Sequence, residues 1–194
     1  ALALAQRVGC QADCALTRVY RLLHNDRLDD QVVSREMLRT LARRGGPLLV
    51  ALDWTEWHPP LRLLLASVVL GTRAVPVATA AFRTTRIPRS QNCWENMFLE
   101  MLTLLLREAG AAACFLADRG FRRTSFILLL LKQSGQTFVV RLADHIHVQS
   151  GRGSRALSRW GLQPGRAVDL GWVDLRQDAA VHVRVVGIWA KGHR

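Results

Sequence analysis

Long hydrophobic runs are missing from this sequence. The longest apolar stretches are residues 63–70 and 126–131, whereas a helix needs about 20 apolar residues to cross a bilayer. The start, ALALAQRVGC, has no basic residues ahead of its apolar ones, which argues against a secretion signal. These absences predict a cytoplasmic protein with no membrane partner.

Cysteines are few, and they follow no metal-binding pattern. Cys10, Cys14, Cys93 and Cys114 do not have the spacing of a zinc site, and a disulfide framework is not expected without secretion. We therefore expect free thiols and no structural zinc.

Acidic residues are also scarce. There are 15 Asp and Glu against 27 Lys and Arg, which gives a net charge of +12, and the arginines are spread along the whole chain. Such a charge favours a polyanionic partner, either nucleic acid or an anionic membrane surface. Because 49% of the residues are hydrophobic, the chain is not a disordered basic tail.

The hydrophobic pattern divides the chain into three parts. Residues 1–46 are predicted to be helical, because 14–23 and 31–43 carry apolar residues at three- and four-residue spacing. Residues 47–143 alternate between strands and helices. Residues 144–194 are Gly-, Ser- and Arg-rich at 149–166 and then alternate polar with apolar residues at 167–175 and 180–189, which is typical of antiparallel strands. We predict a helical segment at 1–46, a core at 47–143 and a β-rich domain at 144–194.

The middle part predicts an α/β fold. Its expected elements are strands at 48–52, 61–70 and 74–79, a helix at 91–109, a strand at 112–117, a helix at 121–133 and a strand at 137–142. Three strands, helix, strand, helix, strand is the order of the ribonuclease H-like fold, a mixed sheet flanked by helices. Periodicity alone leaves other α/β folds open.

Two predicted strands run directly into an aspartate. Asp53 follows the first strand and Asp118 follows the fourth, and these strands are neighbours in a ribonuclease H-like sheet. A single aspartate after a strand often only forms a turn. Two at matching strand ends favour a magnesium site, because converging carboxylates bind this hard cation and paired metals promote phosphodiester chemistry.

Three segments resemble a known family. VALDWTEW at 50–57, FLADRGFRRTSFILLLL at 115–131 and GQTFVVRL at 135–142 resemble the DDE transposases of bacterial insertion sequences. The similar branch has a β-strand domain inserted before its last acidic residue. The resemblance implies that Asp53 and Asp118 are the first two catalytic, metal-binding residues, with magnesium (Mg2+) or manganese (Mn2+) as cofactor. It also implies transposon-end and target DNA as partners, a homodimer in the DNA complex, and association with the bacterial nucleoid.

Basic and aromatic residues supply candidate DNA contacts. Phosphates are commonly held by arginines, and an exposed tryptophan among arginines can stack an unpaired base. The candidate phosphate contacts are Arg119, Arg122, Arg123 and Arg141, and the candidate stacking residues are Trp160, Trp172 and Trp189.

The third acidic ligand of the family is missing. It is a Glu within a Tyr-x-x-Arg-x-x-x-Glu pattern on a helix after the insertion, whereas the only tyrosine here is Tyr20 and no Glu follows Glu108. Either the natural protein continues beyond Arg194 or it is a decayed remnant, and this chain should cut DNA poorly. Two alternatives stay open: a self-contained nuclease using Asp53, Glu95 and Asp118, or a basic DNA-binding module without catalysis.

Overall fold

The structure is a computed structural model. It describes residues 27–57, 61–83, 90–133, 135–151, 153–161, 165–176 and 180–188, together with a few isolated positions before residue 27. The helix predicted at 14–23 lies almost entirely outside these residues, as do Tyr20 and Trp189.

Helix α1 (Asp30–Ala42) begins and packs as its sequence predicts. Asp29 caps it, accepting hydrogen bonds from the backbone N–H groups of Gln31 at 2.8 Å and Val32 at 3.3 Å, which satisfies donors that have no partner inside the helix. Leu38 is fully buried.

A five-stranded sheet forms the centre of the molecule. Its strands are β1 (Leu48–Trp57), β2 (Leu61–Leu70), β3 (Arg73–Arg83), β4 (Ala113–Ala117) and β5 (Thr137–Val140). The order is β3-β2-β1-β4-β5; β1, β2 and β3 pair antiparallel, whereas β4 pairs parallel with both β1 and β5. The prediction of a mixed sheet flanked by helices is confirmed.

Two further helices pack on this sheet. Helix α2 (Gln91–Glu108) begins at its cap Ser90 and ends before Gly110, whose φ of +66° suits the left-handed position after a helix. Helix α3 (Thr124–Leu131) is shorter than the predicted 121–133, because Arg119–Phe121 forms a separate 3-10 turn capped by Asp118.

The described helices all lie on one face of the sheet. Leu38 of α1, Leu102 of α2 and Phe126 of α3 share one buried cluster with Val50 and Phe115 of the sheet. The opposite face has no helix among the described residues.

That opposite face is apolar and partly exposed. Because side chains alternate along a strand, it is formed by Leu49 and Asp53 of β1 and by their neighbours on β2, β4 and β5. Leu49 is 43% exposed and Val139 is 62% exposed, while Leu63, Leu65 and Leu116 are half-buried. We call this surface the open face.

A second sheet follows the first. Its strands are β6 (His147–Ser150), β7 (Gly153–Ala156), β8 (Ala167–Arg176) and β9 (Ala180–Ile188), all antiparallel in the order β7-β6-β8-β9. The antiparallel strands expected at 167–175 and 180–189 are therefore present. Val148, Leu175 and Val183 pack beneath this sheet against Ile127 of α3.

No helix in the described part of the chain is both long enough and apolar enough to span a membrane.

Candidate active site and nucleic-acid interface

Asp53 and Asp118 lie side by side. Strands β1 and β4 are parallel neighbours, with Leu52 paired to Ala117, and each aspartate is the next residue along. Both aspartates are exposed, and alternation from the buried Leu52 and Ala117 places both on the open face. Because neighbouring strands lie about 4.8 Å apart, the two carboxylates can bind a common cation.

The prediction that Asp53 closes the first strand was wrong. Strand β1 continues to Trp57, and Asp53 pairs with Leu65 of β2. The apolar run stops at Asp53, but the backbone stays extended because β2 still supplies ladder hydrogen bonds after β4 has ended. Asp53 therefore lies within a paired strand, where its backbone is held in place.

Asp118 follows β4 and is oriented by a local hydrogen bond. Its Oδ1 accepts the backbone N–H of Gly120 at 2.8 Å, in the 3-10 turn that Asp118 caps. A Cβ at Gly120 would lie 2.9 Å from the same oxygen, closer than side chains tolerate. A side chain at position 120 would therefore push the Asp118 carboxylate out of this orientation.

Arg141 lies at the level of the two aspartates. Its backbone N–H donates to the carbonyl of Ala117 at 2.9 Å, which continues the β4–β5 pairing by one residue. Arg141 is exposed, and alternation from the buried face of β5 places it on the open face beside Asp118. Its guanidinium is thus positioned to contact a phosphate near the carboxylates.

The other candidate arginines differ in their exposure. Arg119 is exposed beside Asp118, and Arg122 is half-buried, its guanidinium donating to the Arg119 carbonyl at 2.9 Å. Arg123 turns inward and bonds Glu95 at 2.8 Å; their side chains are 18% and 1% exposed. This pairing removes Arg123 from the expected phosphate contacts, because its charge is directed to a buried carboxylate.

Glu95 is not placed as a third metal ligand. Its Oε1 accepts the indole N–H of Trp54 at 3.0 Å and the amide of Gln91 at 2.9 Å, and its Oε2 accepts Arg123. Because Trp54 and Asp53 are consecutive in a strand, they point to opposite faces. Glu95 therefore lies on the helix side of the sheet, and the expected alternative triad of Asp53, Glu95 and Asp118 is not assembled.

Two of the three candidate base-stacking tryptophans, Trp160 and Trp172, lie within the described residues and differ in exposure. Trp160 is half-buried, with the Arg155 guanidinium 4.3 Å from its ring centroid and its indole N–H bonded to the Arg155 carbonyl. Trp172 is 65% exposed and stacks on His182, with ring centroids 5.5 Å apart and planes 11° apart. The exposure of Trp172 follows from its pairing with Arg184, because the polar residues of β9 alternate with the buried Val181 and Val183 and face solvent.

An ion pair lies beside this aromatic pair on the second sheet. Arg184 pairs across β8 and β9 with Trp172 and bonds Asp169 through its Nε at 3.1 Å and through Nη2. The hydrogen bond from Arg184 holds the pKa of Asp169 below its ordinary value. The same contact raises the pKa of Arg184.

The donor set at the open face suits magnesium or manganese only in part. Asp53 and Asp118 offer the hard carboxylate oxygens that these cations prefer. Within the described ranges, no group of three or more His, Cys, Asp or Glu side chains converges on one point. Among the described residues the site therefore offers two candidate carboxylate ligands, one fewer than the resembled family uses.

The chain matches no protein-family model, and no curated protein matches it.

Proposed function

We propose that this chain is part of a DDE transposase with a ribonuclease H-like core, which hydrolyses DNA at the ends of an insertion sequence and joins them to target DNA. One observation supports this most strongly: Asp53 and Asp118 directly follow the paired residues Leu52 and Ala117 on adjacent parallel strands of a sheet ordered β3-β2-β1-β4-β5. The sequence likeness at 50–57 and 115–142 supports it independently.

The open face gives a second line of support. It is apolar, it is partly exposed at Leu49 and Val139, and Asp53 and Asp118 lie at its edge. Exposed apolar sheet faces are normally covered by another element. A helix bearing the third carboxylate, as in the resembled family, would cover this face and bring its acid to the two aspartates.

Each residue has a separate role in the proposed reaction. Asp53 and Asp118 would hold magnesium or manganese, which when bound supplies an activated water and stabilises the leaving oxygen. Arg141 would neutralise the phosphate that approaches these carboxylates, and Arg119 would contact a neighbouring phosphate. Of the candidates Trp160 and Trp172, Trp172 is the more exposed and would stack an unpaired base.

The remaining proposals concern partners and location. The net charge of +12 suits binding along DNA, and the transposition reaction requires two transposon ends, so we propose a homodimer in the DNA complex. The proposed site of action is bacterial DNA in the cytoplasm.

A DNA-binding module without catalysis is the second candidate. The positive charge and the exposed Trp172 favour it, since neither feature needs a metal. Divalent metal binding at the two aspartates separates the two candidates.

The test is a Mn2+ titration followed by electron paramagnetic resonance. Asp53→Asn and Asp118→Asn remove a ligand charge while keeping the shape, so each should weaken Mn2+ binding about tenfold or more. Asp144→Asn is the matched control, because Asp144 is exposed and lies outside the paired strands. Equal Mn2+ affinity in all four proteins would contradict the proposed function and leave the non-catalytic module.

A further inference from the structure

Glu95 joins the chain segments that carry the two aspartates. Trp54, the residue after Asp53, donates to Oε1 of Glu95 at 3.0 Å. Arg123, five residues after Asp118, donates to Oε2 at 2.8 Å. One carboxylate on α2 therefore bonds both β1 and the segment that connects Asp118 to α3.

The burial of this carboxylate makes the connection specific. The Glu95 side chain is only 1% exposed, so water cannot replace a partner that moves away. A buried carboxylate needs a countercharge and hydrogen bonds to remain ionised, and Arg123 provides the charge while Trp54 and Gln91 provide the bonds. Displacing β1 or the segment after Asp118 would leave Glu95 without one of its hydrogen-bond partners.

Neighbouring contacts stiffen the same network. The Arg62 guanidinium lies 4.8 Å from the centroid of the Trp54 ring and also donates to Gln91 at 3.3 Å. Arg123 further donates to Ser125 at 3.2 Å. The network thus spans β1, β2, α2 and the start of α3, on the helix side of the sheet behind the aspartates.

We propose that the buried Glu95–Arg123 ion pair positions Asp53 and Asp118 relative to each other for metal binding, without touching the metal. The inference rests on the proposed function, because the metal site is part of that proposal. Glu95 and Arg123 are positioning residues: they act through the backbone of β1 and of the 3-10 turn. Groups that orient metal ligands from behind commonly change metal affinity 10- to 100-fold when they are removed.

A double-mutant cycle on the full 194-residue chain tests this proposal. Glu95→Gln keeps an acceptor for Trp54 but removes the charge, and Arg123→Met removes the partner charge at similar length. Each single variant should weaken Mn2+ binding by about tenfold, because each leaves one buried charge uncompensated. The double variant should recover most of the affinity, since removing both charges together is far less disruptive than removing one.

One control variant and one further test variant accompany the cycle. Glu108→Gln removes the charge from a more exposed ion pair, Arg35–Glu108 at 3.1 Å, which joins α1 and α2 away from the aspartates, so it should leave Mn2+ affinity unchanged. Trp54→Phe retains the Glu95–Arg123 ion pair but removes the hydrogen bond between Glu95 and β1. This variant should weaken Mn2+ binding on its own. This variant also keeps the proposal testable if a single charge variant does not fold.

Three outcomes would overturn the inference or separate it from the proposed function. Unchanged Mn2+ affinity in both single variants would overturn it. A double variant no better than Glu95→Gln would indicate that Glu95 itself contacts the metal, which also overturns it. If the wild-type chain shows no Mn2+ binding at the aspartates, the proposed function fails, and amide NMR shifts of the metal-free protein then test the positioning role alone. Amide shifts of Asp53 and Asp118 that change in the single variants and return to the wild-type values in the double variant support positioning. Shifts that do not change in the single variants refute it.

Discussion

Replacing Gly120 with alanine should disturb Asp118 without disturbing the fold. The new Cβ would lie 2.9 Å from Oδ1 of Asp118, about 0.5 Å inside an ordinary contact of roughly 3.4 Å, so the carboxylate has to rotate away. The rotation breaks the 2.8 Å bond from the Gly120 N–H. The backbone at 120 is outside the left-handed region, so alanine adds no strain there.

The magnitude follows from two opposing effects. A hydrogen bond to a charged group contributes about 1.5–3 kcal/mol, and the lower value applies because Asp118 is exposed. Glycine-to-alanine replacement regains roughly 0.5–1 kcal/mol from reduced freedom of the unfolded chain. The free energy of unfolding should therefore fall by only about 1 kcal/mol, whereas Mn2+ affinity should fall by about tenfold because a ligand is misoriented.

Urea unfolding and Mn2+ titration measure the two effects separately. Gly151→Ala is the matched control, because a Cβ there meets no atom within 4 Å, and it should leave Mn2+ affinity at the wild-type value. Wild-type Mn2+ affinity in Gly120→Ala would refute the claim that this glycine orients Asp118. Loss of cooperative unfolding would refute the claim that its effect is local.

Three further predictions address the DNA surface and the second sheet. Arg141→Ala should weaken duplex DNA binding and lower the slope of log affinity against log salt by about 1, measured by fluorescence anisotropy; an unchanged slope would exclude a phosphate contact. Trp172→Ala should weaken single-stranded DNA binding by about 1–3 kcal/mol, while Trp160→Ala should mainly lower the melting temperature; the reverse pattern would restore Trp160 as the stacking residue. Arg184→Leu should raise the pKa of Asp169 towards its ordinary value, which carboxyl carbon NMR can measure. Because the pKa of Asp169 is lowered in the folded protein, the ion pair stabilises the fold at pH values above the ordinary Asp pKa. That stabilisation is lost as the pH falls through the lowered pKa of Asp169.

The central sheet was predictable because its strands are strongly apolar. The runs at 48–52 and 112–117 identify buried strands, and the β-strand and helix order places these two strands side by side. The end of β1 was not predictable, since residues after Asp53 stay extended through pairing with β2, which is a tertiary contact. Strands β6 and β7 escaped prediction because they are four residues long and Val148 is the one buried side chain in them.

The placement of Asp53 and Asp118 next to a pair of neighbouring strands was predictable, whereas the contacts of the arginines were not. Asp53 and Asp118 are marked by the apolar runs that precede them. Arg122 and Arg123 are adjacent in the sequence and look equivalent, but Arg123 is drawn inward by Glu95, a residue on a distant helix. Local sequence cannot reveal such a pairing, because the partner is 28 residues away.

The central claim is that Asp53 and Asp118 together form a metal site on the open face. The most direct test is a crystal of this chain soaked in Mn2+, with data collected at the manganese absorption edge. We expect an anomalous peak between the two aspartates, with an oxygen of each carboxylate about 2–2.5 Å from it. Carboxylates on opposite faces of the sheet, or a manganese peak that neither aspartate contacts, would rule out a shared metal site.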